Sequence, residues 1–206
     1  MIEHLESTDF FLTVAKEFSI EIKIKGSKFL GFVFPISDKK EAEDILEKHR
    51  KKYYNATHNC FAYSIGLDNE IFRYSDDGEP SGTAGKPIFQ AIKHFELKNI
   101  LVIVTRYFGG TKLGVGLLAR AYYDAAFDVL NVAEKKTEYV TETLQIKVDY
   151  SFVTVIKRLL ELVSVETKEE YLADVTFTAK ILSSKAANCK KEIIELTQGK
   201  AGITVL

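Results

Sequence analysis

Residues 100–105 read Ile-Leu-Val-Ile-Val-Thr, a run without a charged residue in which all six but Leu101 are β-branched. Successive side chains of a strand point to opposite faces, so a strand apolar at every position must be covered on both. The run therefore demands a central strand in a sheet with helices on its two faces. A sheet with one wet face is excluded for this part of the chain.

The flanking sequence supplies the partners. Ile20, Ile22 and Ile24 alternate with charged residues, Lys25-Gly26-Ser27-Lys28 punctuates, and Phe29 to Ile36 returns as the second strand of a hairpin. Asp38 and Glu41 form a capping pattern ahead of a helix with Ala42, Ile45, Leu46 and His49 on one face. His58 to Leu67 and Ile71 to Tyr74 read as a pair of strands. Pro87 stands where a first helical residue would, before Ile88, Phe89, Ile92 and Phe95. A second helix, Leu117 to about Leu130, buries Leu118, Ala121, Tyr122, Ala125 and Val129.

Beyond a boundary placed at Asn131–Tyr139 the pattern changes. A strand from Val140 to Tyr150 precedes a helix carrying Phe152, Ile156, Leu159, Leu160 and Val163. Strands near Val165–Glu169 and Leu172–Leu182, a helix from Lys185 to Thr197 stopped at Gly199, and a strand from Ile203 to Leu206 complete βαββαβ, the ferredoxin-like order. The expected fold class is α+β, with domains at 1–133 and 134–206.

Composition narrows the function. The chain has 206 residues, 46% of them apolar, enough for two real cores and too many for disorder. Net charge is −1, and the first 133 residues hold 17 basic against 18 acidic side chains. Nucleic-acid binding by bulk charge is thereby excluded, and any such binding needs a local patch. Two cysteines make no disulfide framework. No apolar run is long enough to span a membrane, and a start bearing Glu3, Glu6 and Asp9 is no signal peptide, so a cytoplasmic protein without a membrane partner is expected.

Two segments carry chemistry. Arg106-Tyr107-Phe108-Gly109-Gly110-Thr111-Lys112-Leu113-Gly114-Val115-Gly116 runs from the buried strand into a helix. Its glycines let a ligand approach backbone N–H groups, and the helix start adds unpaired donors, so the loop suits an anion flanked by Arg106, Lys112 and Arg120. The other reading is a tight turn with solvated charges, Arg120 pairing with Asp124 at i+4. The P-loop spacing is absent, and Gly114-x-Gly116-x-x-Ala119 starts too far past the strand for a dinucleotide fold. The second segment, Ser75 to Gly85, holds Asp76, Asp77 and Glu79. These carboxylates either bind Mg²⁺ or, as acidic-turn residues usually do, cap nearby backbone and pair with Arg106 or Lys112. His58 and Cys60 share a strand face, either as a thiolate–imidazole pair or as a packed cysteine beside a polar residue, and no orienting partner is evident.

Taken together, Tyr74 to Gly85, Thr105 to Gly116, Ala56-Thr57-His58-Asn59-Cys60 and Arg120-Ala121-Tyr122 resemble the IMPACT/YigZ family over most of residues 20–130, with Leu117 where that family usually has glycine. The resemblance implies an N-terminal domain similar to domain 2 of ribosomal protein S5 and a C-terminal domain like elongation factor G domain V. It also implies translational control, since eukaryotic members act through a partner that activates an initiation-factor kinase. The leading expectation is a non-enzymatic regulator binding RNA, a ribosome or a translation factor. Its contacts would be Arg106, Tyr107, Gly109, Gly110, Lys112, Gly114, Gly116 and Arg120, supported by His58, Asn59 and Lys86, with no cofactor. A phosphate-ester or nucleotide enzyme holding Mg²⁺ at Asp76, Asp77 and Glu79 is the alternative. A protein-interaction module in a stress or translation-control pathway is the third.

Overall fold

The computed structural model describes residues 9–67 and 71–206; Glu3 and Glu6 lie outside them. The chain divides into two compact units, Leu12–Thr137 and Glu138–Leu206 together with the stretch to Phe11. Strands β1 (Phe10–Val14) and β7 (Lys135–Tyr139) pair as a two-stranded sheet.

In the first unit, β2 (Phe18–Ile24), β3 (Ser27–Pro35), β4 (His58–Ile65), β5 (Ile71–Ser75) and β6 (Ile100–Tyr107) form one sheet in the order β2-β3-β6-β4-β5. Every neighbouring pair is antiparallel. The apolar run is the central strand. Ile100, Val102 and Val104 pack with α2 (Gly85–His94) and α3 (Val115–Val132), while Leu101 and Ile103 face the core beneath α1 (Lys39–Lys52).

Asp38 caps α1 by accepting from Glu41 N–H at 2.9 Å, and Glu41 Oε2 reaches back to Ser37 N–H at 2.7 Å. The reciprocal bond thus falls one residue before the cap. Helix α2 begins two residues ahead of the position marked by Pro87, because Asp76 accepts from Ala84 and Gly85 N–H and starts the helix there. Pro87 sits in the first turn, where its missing N–H is no loss.

The second unit contains β8 (Thr141–Val148), a 3₁₀ turn (Tyr150–Phe152), α4 (Val153–Val163), β9 (Ser164–Tyr171), β10 (Val175–Leu182), α5 (Ser183–Leu196) and β11 (Gly202–Val205). Its sheet order is β11-β8-β10-β9, the ferredoxin-like arrangement, and Ile156, Leu160, Phe177, Ile181 and Ile193 are central to its core. The expected strand from Val140 to Tyr150 ends at Val148, since Asp149 accepts from Ser151 N–H and turns the chain into the 3₁₀ segment. Helix α5 closes with Gly199 N–H on the Ile194 carbonyl and Gln198 N–H on that of Glu195, so Gln198 and Gly199 both take positive φ.

One core histidine gives a pH prediction. His49 lies under Phe32 and Tyr53, and burial, aided by nearby Lys52, pushes its imidazole down to about 4. The folded state thus disfavours the protonated ring, so its stabilisation is full above the unfolded value and is lost as pH falls from about 6.5 towards 4. Between pH 7 and 4.5 the native protein should lose about 2.5 kcal/mol through this group. Urea unfolding of native and His49→Gln protein checks it, because the variant should lack that increment.

Candidate functional site

The register brings both sequence segments to one end of the five-stranded sheet. Lys28 pairs with Tyr107, His58 with Arg106 and Phe61 with Ser75, so the loops 76–84 and 108–114, the turn at 25–26 and the segment 53–57 lie together. Gly109 is required by packing: an added Cβ would lie 1.9 Å from the Gly26 carbonyl carbon. Its N–H donates to Ser27 Oγ, and Phe108 N–H donates to Thr57 Oγ1.

Behind the loop is a buried polar cluster. Arg106, expected at a phosphate, is 6% exposed and directs Nη1 to Glu79 Oε1 at 2.6 Å. Tyr122 hydroxyl donates to the same oxygen at 2.8 Å, and His58 Nε2 lies 3.7 Å from Glu79 Oε2. The guanidinium is flanked by the rings of Phe29 and Phe108 at 5.5 and 5.6 Å. Arg106 thus braces the loop from inside, and Phe108, itself half exposed, covers it.

The acidic turn is consumed internally. Asp76 accepts from the N–H groups of Gly82, Ala84 and Gly85 at 2.8–2.9 Å. Asp77 accepts from Asn59 N–H at 2.6 Å and lies 3.7 Å from Arg50, while its carbonyl accepts from His58 Nδ1–H at 2.8 Å. Among the described residues no group of three or more His, Cys, Asp and Glu is arranged to hold a metal ion. Cys60 Sγ donates to the Asp76 carbonyl, and burial pushes its thiol far above the usual range. An inert packed cysteine, and not a thiolate, stands beside His58.

What faces solvent is the outer loop. Lys112, Gly110, Gly114 and Gly116 are exposed, and no atom lies within 4 Å of where a Cβ would stand on the three glycines. Gly110 and Gly114 take φ of +84° and +76°. Gly114 caps α3 without a side-chain hydrogen bond, leaving the first N–H groups of an 18-residue helix available. Leu117 is half buried in the first turn of α3. Tyr107 hydroxyl donates to Asn55, Arg120 lies 3.5 Å from Asp124, and Lys86 projects from the start of α2. Sequence reasoning took Tyr122 for core alone; its position one helical turn after Leu118 gave no sign that its hydroxyl meets Glu79.

Residues 25–130 match the Impact N-terminal domain, and residues 146–200 match a domain of unknown function, DUF1949. The chain is 37% identical over 197 residues to the IMPACT family member YvyE of Bacillus subtilis, covering 94% of this chain and 89% of that one. Similarity to the family member YigZ of Escherichia coli is 29% over 194 residues, covering 92% and 94%. A solved structure of a hypothetical protein aligns with a TM-score of 0.70 at 25% identity, covering 96% of this chain and 98% of that one.

Proposed function

The chain belongs to the IMPACT family, and from that premise we propose that it is a non-enzymatic, translation-associated regulator that binds RNA or a ribosome surface through the outer glycine loop. The observation that carries this reading is the exposed Gly110–Gly116 stretch, open above its glycines and leading into an uncapped helix start. Phosphate oxygens are the ligands such donors suit, and Lys112 supplies charge beside them.

Charge at this end also favours an anion despite the net −1. Lys25, Lys86 and Lys112 make no ion pair within 4 Å among the described residues, whereas Asp76, Asp77 and Glu79 are already engaged. The Mg²⁺ enzyme gains nothing from this arrangement, because its carboxylates serve backbone donors, an arginine and a tyrosine. No helix among the described residues is long and apolar enough to cross a membrane.

Co-sedimentation with ribosomes across a salt series tests the proposal. Native protein should bind at low salt, and Lys112→Ala should flatten the log–log salt slope by about 0.7–0.9, the contribution of one phosphate contact. Salt-independent binding, or no binding by the native protein, would overturn it.

A further inference from the structure

The opposite face of the same sheet carries a cavity unrelated to the glycine loop. Helix α1 covers β4 and β6, but Phe32 and Phe34 on β3 stay half buried. Beside α1 this leaves a space of about 770 Å³, within the ordinary range of small-ligand sites.

Its walls are aromatic. Phe32 and Phe34 stack at 6.4 Å, and His49 and Tyr53 lie 4.8 and 5.2 Å from Phe32. A flat ring is the shape such walls accept. Lys48 and Lys52, one turn apart on α1, also line the space, and neither makes an ion pair within 4 Å among the described residues. Glu17 is the single carboxylate in the lining.

The polar chemistry of the wall is set by a short relay. Thr105 hydroxyl donates its proton to Asn59 Oδ1 at 2.8 Å, so Thr105 Oγ1 is left to accept from His49 Nε2–H at 2.8 Å. Burial keeps the His49 ring neutral near pH 7, and with its proton on Nε2 the lone pair is on Nδ1. No protein group among the described residues donates to Nδ1. Among the described residues the one side-chain nitrogen or oxygen both sealed from solvent and without a partner is Arg106 Nε, so Nδ1 keeps some exposure on a residue that lines the cavity.

We propose that this cavity binds a nucleotide, its base lying against the aromatic wall with a base N–H donated to His49 Nδ1, and its phosphate at Lys48 and Lys52. The lone acceptor decides against an acyl chain or a plain aromatic carboxylate, either of which would satisfy the lysines and rings while leaving Nδ1 without a donor. The nucleotide is either free or a unit of a single strand, and the chemistry is common to both.

Calorimetric titration of the full-length protein tests this with the four ribonucleoside monophosphates, ribose 5-phosphate and a short single-stranded oligoribonucleotide. A base-bearing ligand should bind with a dissociation constant below about 1 mM, and ribose 5-phosphate should not. Lys48→Ala/Lys52→Ala, two changes on the solvent side of α1, should weaken binding about tenfold, the worth of a charge-assisted contact. Binding of monophosphates identifies a free nucleotide as ligand; binding of the oligonucleotide alone, lost in the double variant, identifies the strand. No binding by either, equal binding of ribose 5-phosphate, or binding indifferent to the lysine changes would overturn the proposal.

Discussion

Glu79→Ala is expected to destabilise the protein by about 3–5 kcal/mol, the usual cost of removing one partner from a buried ion pair. The carboxylate is 5% exposed in its side chain and the guanidinium it meets is 7% exposed, so water cannot replace the lost partner. The same oxygen also accepts from Tyr122, and the truncation strands that hydroxyl as well. Arg106 begins with a deficit, because its Nε already has no partner. Glu79→Gln keeps an acceptor for both donors and should cost less. Glu79→Ala/Arg106→Met should recover much of the loss, since it removes the orphaned charge along with its partner. Urea midpoints at constant slope measure all three. A loss below about 1 kcal/mol for Glu79→Ala would mean that Arg106 finds water in the native state and that the cluster does not brace the loop.

The same cluster shows where reading the sequence stops. The six-residue apolar run required a doubly covered strand, and β6 is that strand, because burial at every position leaves little choice. The glycine loop and the acidic turn were likewise visible as unusual composition. What local pattern does not contain is register. Arg106 looks like a residue at the mouth of an exposed loop until His58 is known to pair with it and Glu79 to fold over it. Glu79 and Arg106 are 27 residues apart, and only the complete sheet order brings them together. His49 reads from the sequence only as one more residue on the buried face of α1 for a similar reason: its partner Thr105 is 56 residues away, the last member of the apolar run. Helix starts slipped by two residues at α2 and α3 because a distant carboxylate caps the first and a glycine in left-handed conformation begins the second.

The acidic turn offers a test between structure and ligand binding. Asp76 Oδ1 accepts from Ala84 and Gly85, and Oδ2 from Gly82, so one side chain satisfies three donors at the start of α2. Ala84 and Gly85 are buried, and water has no access to replace those two bonds. Asp76→Ala should therefore cost about 3–5 kcal/mol, at 1–3 kcal/mol for each stranded donor plus the lost charge at a helix N-terminus. Asp76→Asn can present its carbonyl oxygen to Ala84 and Gly85 and should recover more than half of the loss. A metal-binding role predicts a different pattern: Mg²⁺ would raise the melting temperature of the native protein and of neither variant. A capping role predicts that the gap between native, Asn and Ala proteins is the same with Mg²⁺ or with a chelator. Melting curves under both conditions separate the two, and the three short bonds from backbone to Asp76 favour the second.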